Sequence, residues 1–418
     1  MILMVEFSKQ AFFNTLLAMT ATLPSLAQLK PNPNWARLPL FNRKNWTRVR
    51  FDDVVANLNE TCDPTEAGLE RVIAMEHLEP GSLHIRAWGN VADGTTFTRR
   101  CRPGQVLFGK RRAYQRKVAV AEFDAVVSGD IYVLAPKGDR LLPELLPFLC
   151  LSERFFQHAV GTSAGSLSPR TNWSSLASFE FDLPPLDQQR RIAEILWAVD
   201  ETIEKQLALA SASTSAADAA RNNHFADEHR FKLLPIRETG RWVSGNTPSR
   251  SRRDYWNGSF PWVSPKDMKR PSIADSEEHL SEAGRHESTV VGPGSVLIVI
   301  RGMILAHSFP VAITEREVAF NQDMKAVVLN EAFSASYLFH WFKWAKPTLL
   351  KKMSESSHGT KRLAMDDLFA MKIPTPSRTE QDSFVENIQS LENTEAAVMQ
   401  NADNLRQFRT AFLNQIFA

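Results

Sequence analysis

The chain repeats one unit at a spacing of about 192 residues. Pro184-Pro185-Leu186-Asp187-Gln188-Gln189-Arg190-Arg191-Ile192 has its counterpart in Pro376-Ser377-Arg378-Thr379-Glu380-Gln381-Asp382-Ser383-Phe384. Each opens on proline, brings in a polar-Gln pair, and then starts an apolar helical period. Upstream, Gly104-Gln105-Val106-Leu107-Phe108 answers Gly294-Ser295-Val296-Leu297-Ile298. Ser128-Gly129-Asp130-Ile131 then answers Asn321-Gln322-Asp323-Met324. The matches keep their order, so each half is a globular segment followed by a long helix. Such a duplication predicts a pseudo-twofold α+β protein, suited to holding two things at a fixed separation.

The first globular segment runs from about Trp46 to Leu183. It holds short alternating runs such as Lys117-Val118-Ala119-Val120-Ala121 and Ile131-Tyr132-Val133-Leu134, separated by Gly and Pro turns. A helix is expected over Leu142–Val160, with Leu145, Leu149 and Phe156 on helical spacing. The first long helix is expected over Asp187–Arg221. Ile192, Ile195, Leu196, Val199, Ile203 and Leu207 form one apolar stripe there. The second globular segment spans about Phe231 to Ile373. The last helix, Thr379–Phe417, repeats the stripe with Phe384, Ile388, Leu391, Val398, Leu405, Phe408, Phe412 and Ile416. Helices of about 35 residues reach ~50 Å and need a partner for a single apolar face. Mutual antiparallel pairing, with the globular segments at opposite ends, is the simplest arrangement. The other arrangement packs each helix back on its own segment.

Charge is nearly balanced, with 49 basic and 47 acidic residues among 418. Binding to nucleic acid would therefore need a local basic patch. Cys62, Cys101 and Cys150 lack CxxC spacing, which argues against a disulfide framework or a zinc site and fits a reducing cytoplasm. Ala11–Leu26 is apolar and follows Lys9, but Glu6 offsets the charge and no clean cleavage site follows. The stretch is too short to span a bilayer. A packed helix or an extended start is expected, followed by a breaker-rich link at Pro31, Pro33 and Trp35.

The densest charge lies between Arg99 and Lys117, which holds eight basic residues and no acidic one. Arg99, Arg100, Lys110, Arg111, Arg112, Arg116 and Lys117 are candidates for phosphate or guanine-edge contacts, because guanidinium forks match both. Tyr114 adds a stacking face. A solvated basic face is the competing reading. Gly104-x4-Gly109-Lys110-Arg111 resembles a P-loop, but Arg111 stands where Mg²⁺ binding needs Ser or Thr. The apolar Val106-Leu107-Phe108 is a buried-strand pattern and excludes a phosphate cradle. In the second half, Thr247, Ser249, Lys266, Lys269 and Arg270 lie in a Gly- and aromatic-rich stretch suited to close backbone approach. Arg301 follows its strand as Lys110-Arg111 follow theirs. Each half also carries a polar loop before its long helix: Gly161–Arg170, which supplies Arg170, and Ser356–Arg362, which supplies Lys361. Plain connecting loops are the alternative there. No catalytic constellation, cofactor loop or metal-ligand motif is found, so no enzyme activity and no cofactor are expected.

Three stretches carry a family resemblance. They are Gly104–Phe108 through Arg112–Lys117, Thr247–Ser249 through Tyr255–Gly258 and Pro261–Ser264, and Pro184–Ile192 with its echo near Glu380-Gln381. With them the chain resembles a type I restriction–modification DNA specificity subunit over about residues 42 to 418. The resemblance implies two target recognition domains, 42–186 and 229–376, each reading half of a split site on double-stranded DNA. Helices at 187–228 and 377–418 would act as the spacer ruler and as the dock for two methyltransferase subunits, with restriction subunits joining the complex. Residues 1–41 receive no role. The second proline–Gln motif departs from the pattern, with Ser377 and Arg378 in place of Pro-Leu. A two-headed scaffold without base reading is the other function compatible with the repeat.

Overall fold

The computed structural model describes residues 39–227, 229–355 and 360–417. The expectations for Ala11–Leu26 and the Pro31–Trp35 link, and those for Ser356–Gly359, lie outside the described residues. Two compact units emerge. The first ends at Ala208 and takes in Ala397 onward; the second is Leu209–Ala396.

Each unit has its own copy of the same sheets. In the first, Val55–Leu58, Ile131–Pro136, Val106–Gly109 and Val118–Val120 are neighbours in that order, all antiparallel. In the second, the order is Gly240–Ser244, Met324–Leu329, Val296–Val299, Val311–Thr314, with Ser272–Ile273 added at the edge. Registers agree: Leu107 opposes Val133 as Leu297 opposes Ala326. A further sheet in each unit contains one parallel pair, Val72 against Val126 and Trp262 against Ala319. All four residues of Val106–Gly109 and of Val296–Val299 are buried. A strand covered on both faces reads as a continuous apolar run, which is why these segments stand out in the sequence.

The helix expected over Leu142–Val160 is two helices, Leu146–Leu151 and Glu153–Gly161. Ser152 separates them with extended backbone, and its hydroxyl accepts from the Phe155 N–H. A buried serine that caps the second helix overrides the apolar periodicity around it. The long helices run from Leu186 to Phe225 and from Arg378 to Ile416.

The proline–Gln motif is a buried polar clamp. Gln189 is 1% exposed, and its side chain donates to Arg140 O and Pro184 O, each at 2.8 Å, while Oε1 accepts from Leu142 N–H at 2.9 Å. Gln381 is 0% exposed; it donates to Ala332 O at 2.7 Å and Pro376 O at 3.1 Å and accepts from Ser334 N–H at 2.9 Å. One amide thus joins three backbone groups at the start of each long helix. Only Gln or Asn carries both donor and acceptor in that geometry, and Asn lacks the reach.

Within the first unit Ile192, Ala193 and Leu196 share a core with Phe412, Leu413 and Ile416. Asp200 pairs there with Arg409. Within the second, Ala217 and Phe225 share a core with Phe384 and Ile388, and Arg221 pairs with Glu392. In both units the two helices run antiparallel and pack on each other and on the local globular core. All three cysteines are free.

Candidate nucleic-acid interface

The strand Val106–Gly109 ends where the backbone must turn. Lys110 N–H donates to Asp130 O at 2.9 Å, and Thr171 N–H donates to Lys110 O at 3.0 Å. These bonds bring Arg111 opposite Arg170 in an antiparallel bridge. Two cations directly opposite each other repel. Asp130 lies between them, with Arg170 Nε at 2.8 Å and Arg111 Nη1 at 3.5 Å. The Arg170 hydrogen bond holds the Asp130 carboxyl below its usual range. Arg111 also donates to Ser168 Oγ at 3.1 Å. Lys110 sits 5.0 Å from the Tyr132 ring centre; burial, and then Arg99, lower its pKa. Arg99 itself donates to Ile131 O at 2.8 Å. Three cations, Arg170, Arg111 and Lys110, therefore act on one carboxylate at this strand end, with Arg99 close to Lys110.

The second unit repeats the construction. Ile300 N–H donates to Asp323 O at 2.9 Å, and Leu363 N–H donates to Ile300 O at 2.9 Å. Arg301 consequently pairs across the bridge with Arg362, and Gly302 with Lys361. Ser354 opposes Arg362 as Ala164 opposes Arg170. Asp323 occupies the place of Asp130, yet among the described residues neither Arg301 nor Arg362 pairs with a carboxylate. Arg301 and Arg362 are both exposed. Two cross-strand arginines with no carboxylate partner among the described residues offer guanidinium forks for phosphate oxygens or a guanine edge.

Several other candidates hold protein groups instead. Arg100 pairs with Asp124 at 2.9 Å, Arg116 with Glu153 at 2.5 Å, and Lys117 donates to Met75 O at 2.6 Å. Arg112 and Arg116 adopt left-handed backbone, with φ of 52° and 56°, and shape the turn that exposes Tyr114. In the second unit Thr247 donates to Gln322, and Ser249 contacts Ser251 Oγ at 2.8 Å. Lys269 pairs with Glu277 at 3.1 Å. Lys266 and Arg270 are exposed, and Arg270 lines a cleft with Asp267, Asp275, Glu277 and Glu315, surroundings too acidic to attract an anion. The aromatics of this stretch are structural: the Trp256 and Trp262 rings meet edge to face at 5.1 Å, and Arg250 lies over both. Gly245 lets the chain approach itself, because a Cβ there would overlap Asn321 O.

Arg362, Asp130 and Asp323 were missing from the sequence candidates. Their signal was present in the repeat: Arg170 and Arg362 each stand three residues before a short helix, Trp173–Ala177 and Met365–Phe369, and Asp130 and Asp323 occupy the same place in the matched segments Ser128–Ile131 and Asn321–Met324. Among the described residues, no group of three or more His, Cys, Asp or Glu side chains is placed to hold a metal ion, and no helix is long and apolar enough to cross a membrane.

The model of the type I restriction modification DNA specificity domain matches residues 45–209 and again 232–404. The EcoR124I/EcoR124II specificity subunit of Escherichia coli is 30% identical over 224 residues, which is 51% of this chain and 55% of that subunit. The MjaIX specificity subunit of Methanocaldococcus jannaschii is 28% identical over 161 residues, 37% of this chain and 36% of that one. The chain thus spans about half the length of the first relative and about a third of the second. Among solved structures, a chain of a type I R-M system is 18% identical with a TM-score of 0.58, covering 90% of this chain and 98% of its own. The type I system S subunit from M. genitalium is 15% identical with a TM-score of 0.54, covering 91% and 98%. These structures share the fold. With two copies of the family domain covering most of its length, the chain belongs to the type I restriction–modification DNA specificity family.

Proposed function

We propose that this chain is the sequence-recognition subunit of a type I restriction–modification complex and performs no chemistry itself. Its two recognition domains, 42–186 and 229–376, each read one half of a split site on double-stranded DNA. The long helices, 187–228 and 377–418, set the separation of the half-sites and dock two methyltransferase subunits, with restriction subunits completing the complex. The observation that carries this reading is the duplicated cationic hairpin: Arg111 opposite Arg170, and Arg301 opposite Arg362. Asp130 offsets part of the first pair's charge, whereas Arg301 and Arg362 have no carboxylate partner among the described residues, and a nucleic-acid phosphate would supply the anion that they lack. Phosphate contacts fix register, and arginine forks at the groove edge add base discrimination.

The test is duplex binding by the full chain, co-expressed with its methyltransferase partner, across a salt series. Recognition predicts a steep fall of log affinity with log salt and tighter binding to one sequence than to others. Salt-independent binding, or equal binding to every duplex, contradicts it and leaves the two-headed scaffold.

A further inference from the structure

Among the described residues the three most exposed large apolar side chains are Leu167 at 90%, Met303 at 72% and Tyr114 at 55%. Isolated exposed apolar residues are ordinary on a protein surface. These three are not scattered. Each lies within three residues of an arginine in the paired strand-end bridges: Leu167 before Arg170, Tyr114 after Arg111, Met303 after Arg301.

Local construction holds them out. Leu167 occupies the turn closed by the two bonds between Ala164 and Arg170, at 3.0 and 2.9 Å, and its neighbour Ser168 receives Arg111. Met303 opens a single 3-10 turn, Met303–Ala306, that begins directly after the Arg301-Gly302 strand. Leu305 of that turn is buried and anchors it, while Ile304 is partly exposed beside Met303. An aliphatic side chain beside paired guanidiniums offers nothing to a phosphate. On a duplex, the surfaces that accept it are thymine methyl groups and the faces of bases at a loosened step.

We propose that Leu167 and Met303 are base-contacting specificity residues, one for each half-site. They pack apolar surface against the bases while the neighbouring arginines hold the backbone; this rests on the DNA-recognition reading above. Sequence reading passed over both, because a lone Leu or Met in a polar loop carries no pattern.

The experiment uses the full chain with its methyltransferase partner and two duplexes, the target found by methylation mapping and the same duplex with both half-sites scrambled. Leu167→Ala and Met303→Ala remove only exposed atoms, so folding is not at stake. Each variant should weaken target binding roughly five- to thirtyfold. Binding to the scrambled duplex and the salt slope should not change. Discrimination should relax in one half-site only, a different one for each variant. Equal weakening on both duplexes, or no change on either, overturns the proposal. So does lost assembly with the methyltransferase at unchanged discrimination, which would make these residues a protein interface. If the wild type does not prefer its target, the recognition reading itself falls, a result distinct from a preference that survives both substitutions.

Discussion

His84 Nε2 lies 2.9 Å from Oδ2 of Asp200, a carboxylate only 2% exposed whose other oxygen receives Arg409. His84 Nδ1 meets Glu122 at 2.8 Å. A loop of the first globular segment is thereby tied to both long helices within that unit, and Arg409 also donates to Gly81 O. The Asp200 hydrogen bond, opposed by burial and helped by Glu122, raises the imidazole from 6.5 to about 9. The folded state therefore keeps a proton that the unfolded state has released between these values. This stabilisation is complete below pH 6.5 and is lost as pH rises through 9, with a total on the order of 2 kcal/mol after solvent screening. Hydrogen exchange over residues 81–86, corrected for intrinsic rate, should show protection falling from pH 6.5 to 9. His84→Ala should remove that dependence; an unchanged pH profile in the variant contradicts the account.

The second unit should respond in the opposite direction. Burial lowers both His224 and His340 from 6.5 to about 4. His224 stacks on Phe384 at 4.1 Å and hydrogen-bonds Tyr337 Oη at 3.0 Å. The unfolded chain takes up protons below pH 6.5 while the folded unit does not. Stability is thus full above pH 6.5 and lost as pH falls through 4. Limited proteolysis at pH 5 should cut within Leu209–Ala396 before it cuts the first globular segment, and the order should reverse at pH 9.

Replacing Gln189 or Gln381 by Leu keeps the volume but strands two carbonyls and one N–H in the interior. Each lost partner costs about 1–3 kcal/mol, partly relieved by relaxation, so a loss of about 2–4 kcal/mol is expected in urea denaturation. A change within about 0.5 kcal/mol would mean that the clamp is dispensable.

The repeat, the two long helices and the buried strands were legible in the sequence, because each rests on local periodicity or on a motif copied twice. The break at Ser152 was not, since a capping serine on an apolar face looks like one tolerated polar position. The fate of the basic window was illegible for another reason. Arg100 and Arg116 are neutralised by Asp124 and Glu153, 24 and 37 positions away, and only the fold brings them together. Arg362 closes the polar loop Ser356–Arg362, but its pairing with Arg301, 61 positions earlier, is set only by the fold.

Arg111 and Arg301 should differ in their contribution to DNA binding. Arg111 shares Asp130, whereas Arg301 has no carboxylate partner among the described residues. Arg301→Ala should reduce the slope of log affinity against log salt by about 0.9 for a lost phosphate contact. Arg111→Ala should reduce it by less, because Asp130 already offsets part of that charge. Equal slopes for the wild type and both variants would remove these arginines from the interface.

On the proposed function, the two domains read two half-sites at a separation set by the long helices. Methylation mapping would show this in cells carrying the wild type or a variant with four residues added to each long helix, near Ala208–Ala216 and at the matching level of the second helix. Four residues add one turn, about 6 Å, and preserve the apolar face. With ~3.4 Å per base pair, the wild type should yield a split site and the variant the same half-sites with one to two more base pairs between them. A single unbroken site, or changed half-sites at an unchanged spacing, would contradict the account.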